Sequence, residues 1–98
     1  MNMQNLMAQA QRMQREITKK QEEIYKTTFI GESEWVRVTM NGKKELIKIE
    51  ILYTGDLNED KEMLADMITI AINNATSKIE KEIESKLGVY CKQLGGLK

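Results

Sequence analysis

The sequence predicts a small α+β domain in which a helix, two or three antiparallel strands and a second long helix follow one another. Three observations lead to this fold class. Residues 2–26 lack Gly and Pro and carry apolar residues at heptad spacing, residues 35–53 alternate apolar and polar on both sides of an Asn-Gly pair, and residues 58–86 return to helical spacing. A chain of 98 residues has room for one hydrophobic core, so we expect a single domain spanning residues 1–98.

The first helix, about residues 2–26, is rich in Gln, Glu, Lys, Arg and Met, which favour helices. Its apolar residues form the a/d seam of a short coiled coil: Met3, Leu6, Ala10, Met13, Ile17 and Ile24. At 1.5 Å per residue this helix is roughly 35 Å long, more than a small sheet covers. Part of it should therefore project from the domain or pair with a partner chain.

The central hairpin is predicted from Asn41-Gly42, which suits both central positions of a type I′ turn. This turn predicts strands at about 35–40 and 44–53, with Val36 opposite Ile47. One face of the pleat then carries the apolar residues Val36, Val38, Ile47, Ile49, Ile51 and Tyr53. An earlier strand is predicted at about 27–30, followed by a loop through Gly31.

The second helix is predicted at about residues 58–86, because Asn58 and the acidic residues after it can cap a helix N-terminus. Gly88 is the natural stop. Residues 88–98 show no apolar periodicity, so we expect a flexible tail.

Composition excludes several classes of function. The chain has no His and one Cys, which leaves almost nothing from which to build a metal site, a disulfide or a catalytic triad. No common catalytic or nucleotide-binding motif occurs. We therefore predict a protein that is not an enzyme and uses no cofactor or metal. The polar N-terminus and the lack of a membrane-length apolar run predict a cytoplasmic protein without membrane contact.

A narrow basic stripe lies on the first helix, opposite its apolar seam. It consists of Arg12, Arg15, Lys19 and Lys26. One interpretation is an ordinary solvated face whose charges pair along the helix, as Arg12 could with Glu16. The other is a surface that binds phosphates, because residues 1–26 carry five basic and three acidic groups in a chain of zero net charge.

Three segments resemble motifs of a known family. They are NMQNLMAQAQRMQREI in the first helix, VRVTMNGKKELIKIEI in the hairpin and NEDKEMLADMITIAINNATSKIE in the second helix. In this order they are similar to the YbaB/EbfC family of bacterial nucleoid-associated proteins over roughly residues 2–84. The resemblance implies an α-β-β-β-α protomer, a tweezer-like homodimer, duplex DNA binding with little sequence specificity, and a nucleoid-associated role in chromosome organisation or gene expression.

The resemblance also suggests which residues contact DNA. Family members are held to bind DNA through basic residues of the helical arms, here matched by Arg12, Arg15 and Lys19. Lys78 and Lys81 stand where the family has a basic pair after the helix Asn. Together with Lys26 from the stripe, these form the predicted DNA-binding set. The chain departs from the family at Gly31, where a longer glycine-rich segment is common.

Self-association is expected because both helices are only partly covered. The predicted dimer interface contains Leu6, Met13 and Ile17 from the seam and the single indole, Trp35. The alternative function is a protein–protein interaction module whose projecting helices bind replication or recombination proteins. The zero net charge and the paired helix charges favour that alternative, whereas the linked family motifs and the basic stripe favour DNA.

Overall fold

The protein folds into two layers, with helices on one face of a three-stranded sheet. The computed structural model describes the backbone of residues 2–93 and the side chains of residues 2–90. The elements are α1 (Met3–Lys26), β1 (Thr28–Glu32), β2 (Val36–Asn41), β3 (Leu46–Ile51) and α2 (Lys61–Gln93). The strands are antiparallel in the order β1-β2-β3. This confirms the predicted α-β-β-β-α order.

α1 begins and ends with side-chain caps. The Asn2 side chain accepts a hydrogen bond of 2.9 Å from the backbone N–H of Gln4, which satisfies one of the free donors of the first turn. At the other end the Thr27 hydroxyl donates to the Glu23 carbonyl at 2.7 Å. β1 starts at the next residue, so α1 is joined to the sheet without a loop.

The core lies between α2 and the first two strands. Alternate residues of β2 are buried, as a half-covered strand requires: Val36, Val38 and Met40. They meet a stripe of small and branched residues on α2, formed by Ala71, Ala75 and Ile79. Two alanines in this stripe allow the helix to approach the sheet closely.

Gly31 belongs to β1, although the sequence predicted a loop there. A Cβ at this position would overlap the Ala71 carbonyl oxygen and lie 2.7 Å from the Ala75 Cβ. The helix therefore rests directly on the backbone of the strand. Gly31 is needed for this contact rather than for a turn. The chain therefore does not turn at Gly31, and β1 continues to Glu32.

The hairpin turn differs from the predicted type I′ geometry. Asn41 is the last residue of β2, and its side-chain oxygen accepts from the N–H groups of Lys43 and Glu45 at 2.9 and 3.1 Å. Lys44 adopts the left-handed conformation, with φ of 67°. This is a three-residue loop ending in a left-handed residue, not a two-residue turn.

The longer loop changes the register of β3. Val36 lies opposite Ile51 instead of Ile47, with an irregularity between Thr39 and Met40. The predicted pairing is therefore wrong. Because the partner of Val36 is displaced by four residues, an even number, the predicted apolar face of β3 is retained.

α2 starts later and ends later than predicted. The Asp56 carbonyl accepts from Glu59 and Asp60 and forms a turn first, so the helix begins at Lys61. It then passes through Gly88 and reaches Gln93. A helical Gly costs about 1 kcal/mol relative to Ala, and burial of Tyr90, which is 8% exposed, offsets that cost. The predicted tail is thus helical at 88–93, and residues 94–98 lie outside the described part of the chain.

The two outer strands have different surroundings. On β1, the Glu32 N–H donates to the Asn74 side chain at 3.2 Å and the Ile30 carbonyl accepts from Lys78 Nζ at 2.7 Å. Within residues 2–93, β3 lacks such cover, because α2 lies over β1 and β2. Every residue of β3 except Glu50 is exposed.

Candidate nucleic-acid interface

Four basic side chains share the outer surface of α1. Arg12, Arg15, Lys19 and Lys26 are all exposed, and we call them the basic face. An uninterrupted helix of 24 residues holds them in register. From Arg12 to Lys26 the face extends about 21 Å at 1.5 Å per residue.

The opposite side of α1 packs on α2, which fixes the direction of the basic face. Tyr90 of α2 donates a hydrogen bond of 3.3 Å to Glu16, and Lys20 Nζ lies 5.1 Å from the centre of its ring. Ile24, which is 3% exposed, lies one turn further along the same side of α1. The basic face therefore points away from the body of the protein.

The charges of the basic face do not pair along the helix as one interpretation of the sequence expected. Among residues 2–90, ion pairs join Arg37 to Glu32, Lys44 to Glu80 and Lys48 to Glu50, and none involves the basic face. Glu16, the expected partner of Arg12, turns toward Tyr90 instead. The basic groups are thus available to an external anion.

The β2–β3 turn adds a cation beside the basic face that the sequence could not place. Gly42 lies against the last turn of α1, where a Cβ would come within 2.8 Å of Ile24 Cγ2. Lys43 Nζ is consequently 5.4 Å from the centre of the Tyr25 ring. An open cleft of about 470 Å³ separates the turn from the helix; its lining includes Tyr25, Lys26 and Lys43.

Lys78 and Lys81 do not join the basic face. Lys78 Nζ donates a hydrogen bond to the Ile30 carbonyl of β1. Lys81 precedes Tyr90 by nine residues, which is two and a half helical turns, so it lies on the side of α2 away from α1. The two predicted groups of basic residues therefore occupy different surfaces of the protomer.

Acidic residues gather at the other end of the sheet, where α2 begins. Residues 56–66 contain Asp56, Glu59, Asp60, Glu62 and Asp66 against a single cation, Lys61. The start of β2 lies at this end, whereas its last residue, Asn41, adjoins the turn that contacts α1. The zero net charge of the chain thus conceals a separation of charge between its ends.

The described residues contain neither a membrane-spanning helix nor a candidate metal site. No helix within residues 2–93 is long and apolar enough to cross a membrane. The same part of the chain has no group of three His, Cys, Asp or Glu side chains placed to hold a metal ion.

Sequence comparison decides the family. Residues 1–94 match the YbaB/EbfC DNA-binding family. The chain belongs to this family. It is 45% identical to "Nucleoid-associated protein LL0120" of Lactococcus lactis subsp. lactis over 96 residues, which cover 96% of this chain and 97% of the relative. It is 40% identical to a "Nucleoid-associated protein" of Enterococcus faecalis over 97 residues, covering 97% and 93%.

The YbaB/EbfC chain also resembles a solved structure over nearly its whole length. A crystal structure of the uncharacterized protein HP0035 from Helicobacter pylori superimposes with a TM-score of 0.72 at 26% sequence identity. The match covers 97% of this chain and 99% of that one. The family membership and the α-β-β-β-α fold therefore agree.

The residues predicted for the YbaB/EbfC dimer interface lie in three settings. Met13 and Ile17 are half-buried on the side of α1 that faces α2 within one protomer. Leu6 lies beyond the packed part of α1 and is 42% exposed. Trp35 stacks on Tyr53, with ring centres 3.8 Å apart and 14° between the planes.

The end of β3 is attached to the start of α2 through Tyr53. Its hydroxyl donates a hydrogen bond of 2.7 Å to Asp60 Oδ2. This hydrogen bond, with a smaller contribution from burial and from the charges of Asp60 and Asp56, raises the pKa of Tyr53 above its ordinary value near 10. The neutral hydroxyl is therefore the form that the fold favours.

A second apolar surface, outside the predicted interface, lies on β3. Ile47, Ile49 and Ile51 are 57, 41 and 46% exposed. Ile49 and Ile51 pair with the buried Val38 and Val36, so they share the sheet face that α2 covers only over the other strands. Sequence alternation identified this face, but only the position of α2 shows which strand stays uncovered.

Proposed function

We propose that this YbaB/EbfC protein is a nucleoid-associated protein that binds duplex DNA through phosphate contacts from the basic face of α1. The observation that carries the proposal is the exposure of Arg12, Arg15, Lys19 and Lys26 on one side of an uninterrupted helix, pointing away from the core. Phosphate is the ligand that suits such a row, since guanidinium and ammonium groups donate to it directly.

The dimensions of the basic face suit a duplex backbone. Its length of about 21 Å equals roughly six base pairs at 3.4 Å each. All four groups are cations on long, flexible side chains, and the face carries no Asn or Gln pair arranged for a base edge. Contacts of this kind carry no sequence information, so we propose binding with little sequence preference.

The charge separation accounts for DNA binding by a neutral chain. Phosphates repel the acidic end around residues 56–66 and attract the basic face of α1. The protein would therefore approach DNA with α1 foremost. Lys43 extends the positive surface beyond the end of the helix. In the cell we place the protein on the nucleoid within the cytoplasm, with a role in chromosome organisation or gene expression.

We also propose that the protein acts as a homodimer assembled through β3. The exposed isoleucines of β3 form an apolar surface continuous with the core, and β3 is the sheet edge without side-chain caps from α2 among the described residues. Unpaired edges and exposed apolar faces are covered most simply by a second identical chain. We therefore propose β3 as the centre of the interface, and Leu6, Met13, Ile17 and Trp35 stay a prediction.

Fluorescence anisotropy of a labelled duplex of about 30 base pairs tests the DNA proposal. If one basic face engages four phosphates, affinity should fall about 150-fold between 50 and 200 mM salt, and about 20,000-fold if both faces of the dimer engage the duplex. The charge-reversed variant Arg12→Glu, Arg15→Glu, Lys19→Glu should lose binding while keeping its circular dichroism spectrum.

The matched control carries the same change in charge on α2: Lys61→Glu, Lys78→Glu, Lys81→Glu. We expect this control to retain most of its affinity, because these lysines lie outside the basic face. Loss of binding in the control alone would move the site to α2. No binding by the wild-type protein at 50 mM salt would reject DNA as the ligand and favour an interaction module for replication or recombination proteins.

A further inference from the structure

The first turns of α1 form a surface that neither the core nor the basic face uses. Residues 1–11 contain no charged side chain, in a chain that is 31% charged. Met3, Leu6 and Met7 on this segment are 70, 42 and 58% exposed. We call residues 3–11 the tip of α1.

The apolar residues of the tip continue the side of α1 that packs on α2. Met3, Leu6 and Ala10 occupy the a and d positions that Met13 and Ile17 occupy closer to the core. One seam therefore has two parts. Its second half is covered by α2 of the same chain, and its first half is exposed.

The lengths of the helices explain why the tip is exposed. α1 and α2 are antiparallel, and Tyr90 contacts Glu16 and Lys20. Counting 1.5 Å per residue in opposite directions, Gln93 reaches roughly residue 15 of α1. The tip thus extends about 15 Å or more beyond the last described turn of α2.

We propose that the tips of two molecules pair with each other along this stripe, as a short coiled coil. The proposal concerns contact between DNA-bound molecules, so its consequence for DNA rests on the proposed function. A second copy is the favoured occupant because it offers the same a/d spacing and because two uncharged surfaces do not repel. A charged partner would find no complementary group on the tip.

The size of the stripe predicts how strong the pairing is. Three partly exposed side chains per molecule fall well below the roughly 800 Å² per partner of a stable interface. Pairing in free solution should therefore be weak. Molecules bound side by side on DNA are held at high local concentration, and a weak contact then becomes effective. The tips should make DNA binding cooperative.

Sedimentation equilibrium without DNA tests the pairing directly. The tip variant Met3→Gln, Leu6→Gln, Met7→Gln removes the stripe with residues that keep the helix uncharged. The control, Asn5→Gln with Ala8→Gln, changes the opposite side of the same turns. Between about 10 µM and 1 mM, the average molar mass of wild type and control should rise above that of the proposed dimer. The average molar mass of the tip variant should not. Equal masses for all three proteins at every concentration would overturn the proposal.

A second variant tests whether the chain's own C-terminal residues cover the stripe instead. Leu94→Gln with Leu97→Gln changes the apolar residues beyond Gln93 in the full-length chain. Pairing as in wild type supports a second copy as the occupant. Pairing that appears only in this variant would show that these leucines occupy the stripe, and would overturn the proposal.

DNA titrations separate this proposal from the proposed function. On a duplex of about 20 base pairs, which holds few molecules, the tip variant should bind like wild type. On a duplex of about 80 base pairs its Hill coefficient should fall to about one, whereas wild type and control stay above it. If wild type fails to bind either duplex, the DNA function is rejected while the sedimentation result still decides whether tips pair.

Discussion

The two outer strands of the sheet, β1 and β3, both carry large apolar residues but have opposite surroundings. β1 lies under α2 so closely that only Gly31 fits beneath Ala71 and Ala75, and two of its backbone groups bond to α2 side chains. β3 exposes Ile47, Ile49 and Ile51 on the same side of the sheet. α2 is therefore displaced toward one edge of the sheet instead of lying across its centre.

This difference shows that strand pattern and strand burial are separate properties. Alternation determines which side chains share a face, whereas the placement of a single helix determines which strand of that face is covered. Residues 2–93 contain two helices, one of which packs on the other, so α2 covers two of the three strands and leaves β3 exposed.

The close contact at β1 is the most sensitive point. Gly31→Ala places a Cβ against the Ala71 carbonyl and forces α2 away from the strand; we expect a loss of about 3 kcal/mol in the free energy of unfolding. Urea denaturation followed by circular dichroism measures it. Gly88→Ala is the control, since its Cβ would meet only the flexible Glu84 side chain, at 3.0 Å, and should stabilise by up to about 1 kcal/mol. If both substitutions change the free energy of unfolding equally, the close contact between Gly31 and α2 is contradicted.

The open strand should affect assembly more than folding. Ile49→Lys places a charge in the middle of the proposed β3 interface, so we expect the dimer dissociation constant to rise at least about 100-fold, or about 2.7 kcal/mol. Lys48→Gln alters the other sheet face of the same strand and should leave the dimer intact. Sedimentation equilibrium gives the dimer dissociation constants of both variants. A dimer in the Ile49 variant as strong as in wild type would place the interface elsewhere.

The caps on β1 should have a smaller effect. Asn74→Ala removes the acceptor for the Glu32 N–H, and we expect a loss of about 1 kcal/mol in thermal or urea unfolding. The neighbouring Asn73→Ala should change stability by less than about 0.5 kcal/mol, because Asn73, although equally exposed, makes no side-chain hydrogen bond among the described residues. If both variants unfold alike, the Asn74 bond does not hold the edge of β1.

The smallest effect concerns the end of β3 and depends on pH. The pKa of Tyr53 is raised in the folded protein, so folding favours the neutral hydroxyl. This stabilisation is complete below the unfolded pKa near 10 and is lost as pH rises through the folded pKa. The Tm of wild type should exceed that of Tyr53→Phe at pH 7–9, and the difference should shrink above pH 10. A difference that stays constant would show that Tyr53 acts by packing alone.

Local signals in the sequence predicted much of the fold. The extent of α1 follows from a segment without Gly or Pro that is rich in helix-forming residues, and the buried face of β2 follows from alternation. The sequence predictions failed where contacts between residues far apart in the chain determine the structure. Gly31 continues a strand because a helix lies on it, and α2 passes Gly88 because Tyr90 packs against α1. Neither contact leaves a local signal in the sequence.

The same limit applies to the candidate site: its local part was predictable from the sequence, and its long-range contacts were not. Spacing alone placed Arg12, Arg15 and Lys19 on one side of a helix, since that depends only on helical periodicity. It could not place Lys43 beside Tyr25, because that proximity arises where the hairpin meets α1. It also could not foresee that Lys78 bonds to β1.

The elongation of the protomer affects how the protein behaves in solution. Its dimensions are 70 × 24 × 14 Å and its radius of gyration is 19.4 Å, against about 13 Å for a compact domain of this length. Such a shape diffuses slowly and elutes early from a gel-filtration column. A single 11.3 kDa chain would therefore migrate like a heavier globular protein, and the ratio of that apparent mass to the mass from light scattering measures its elongation.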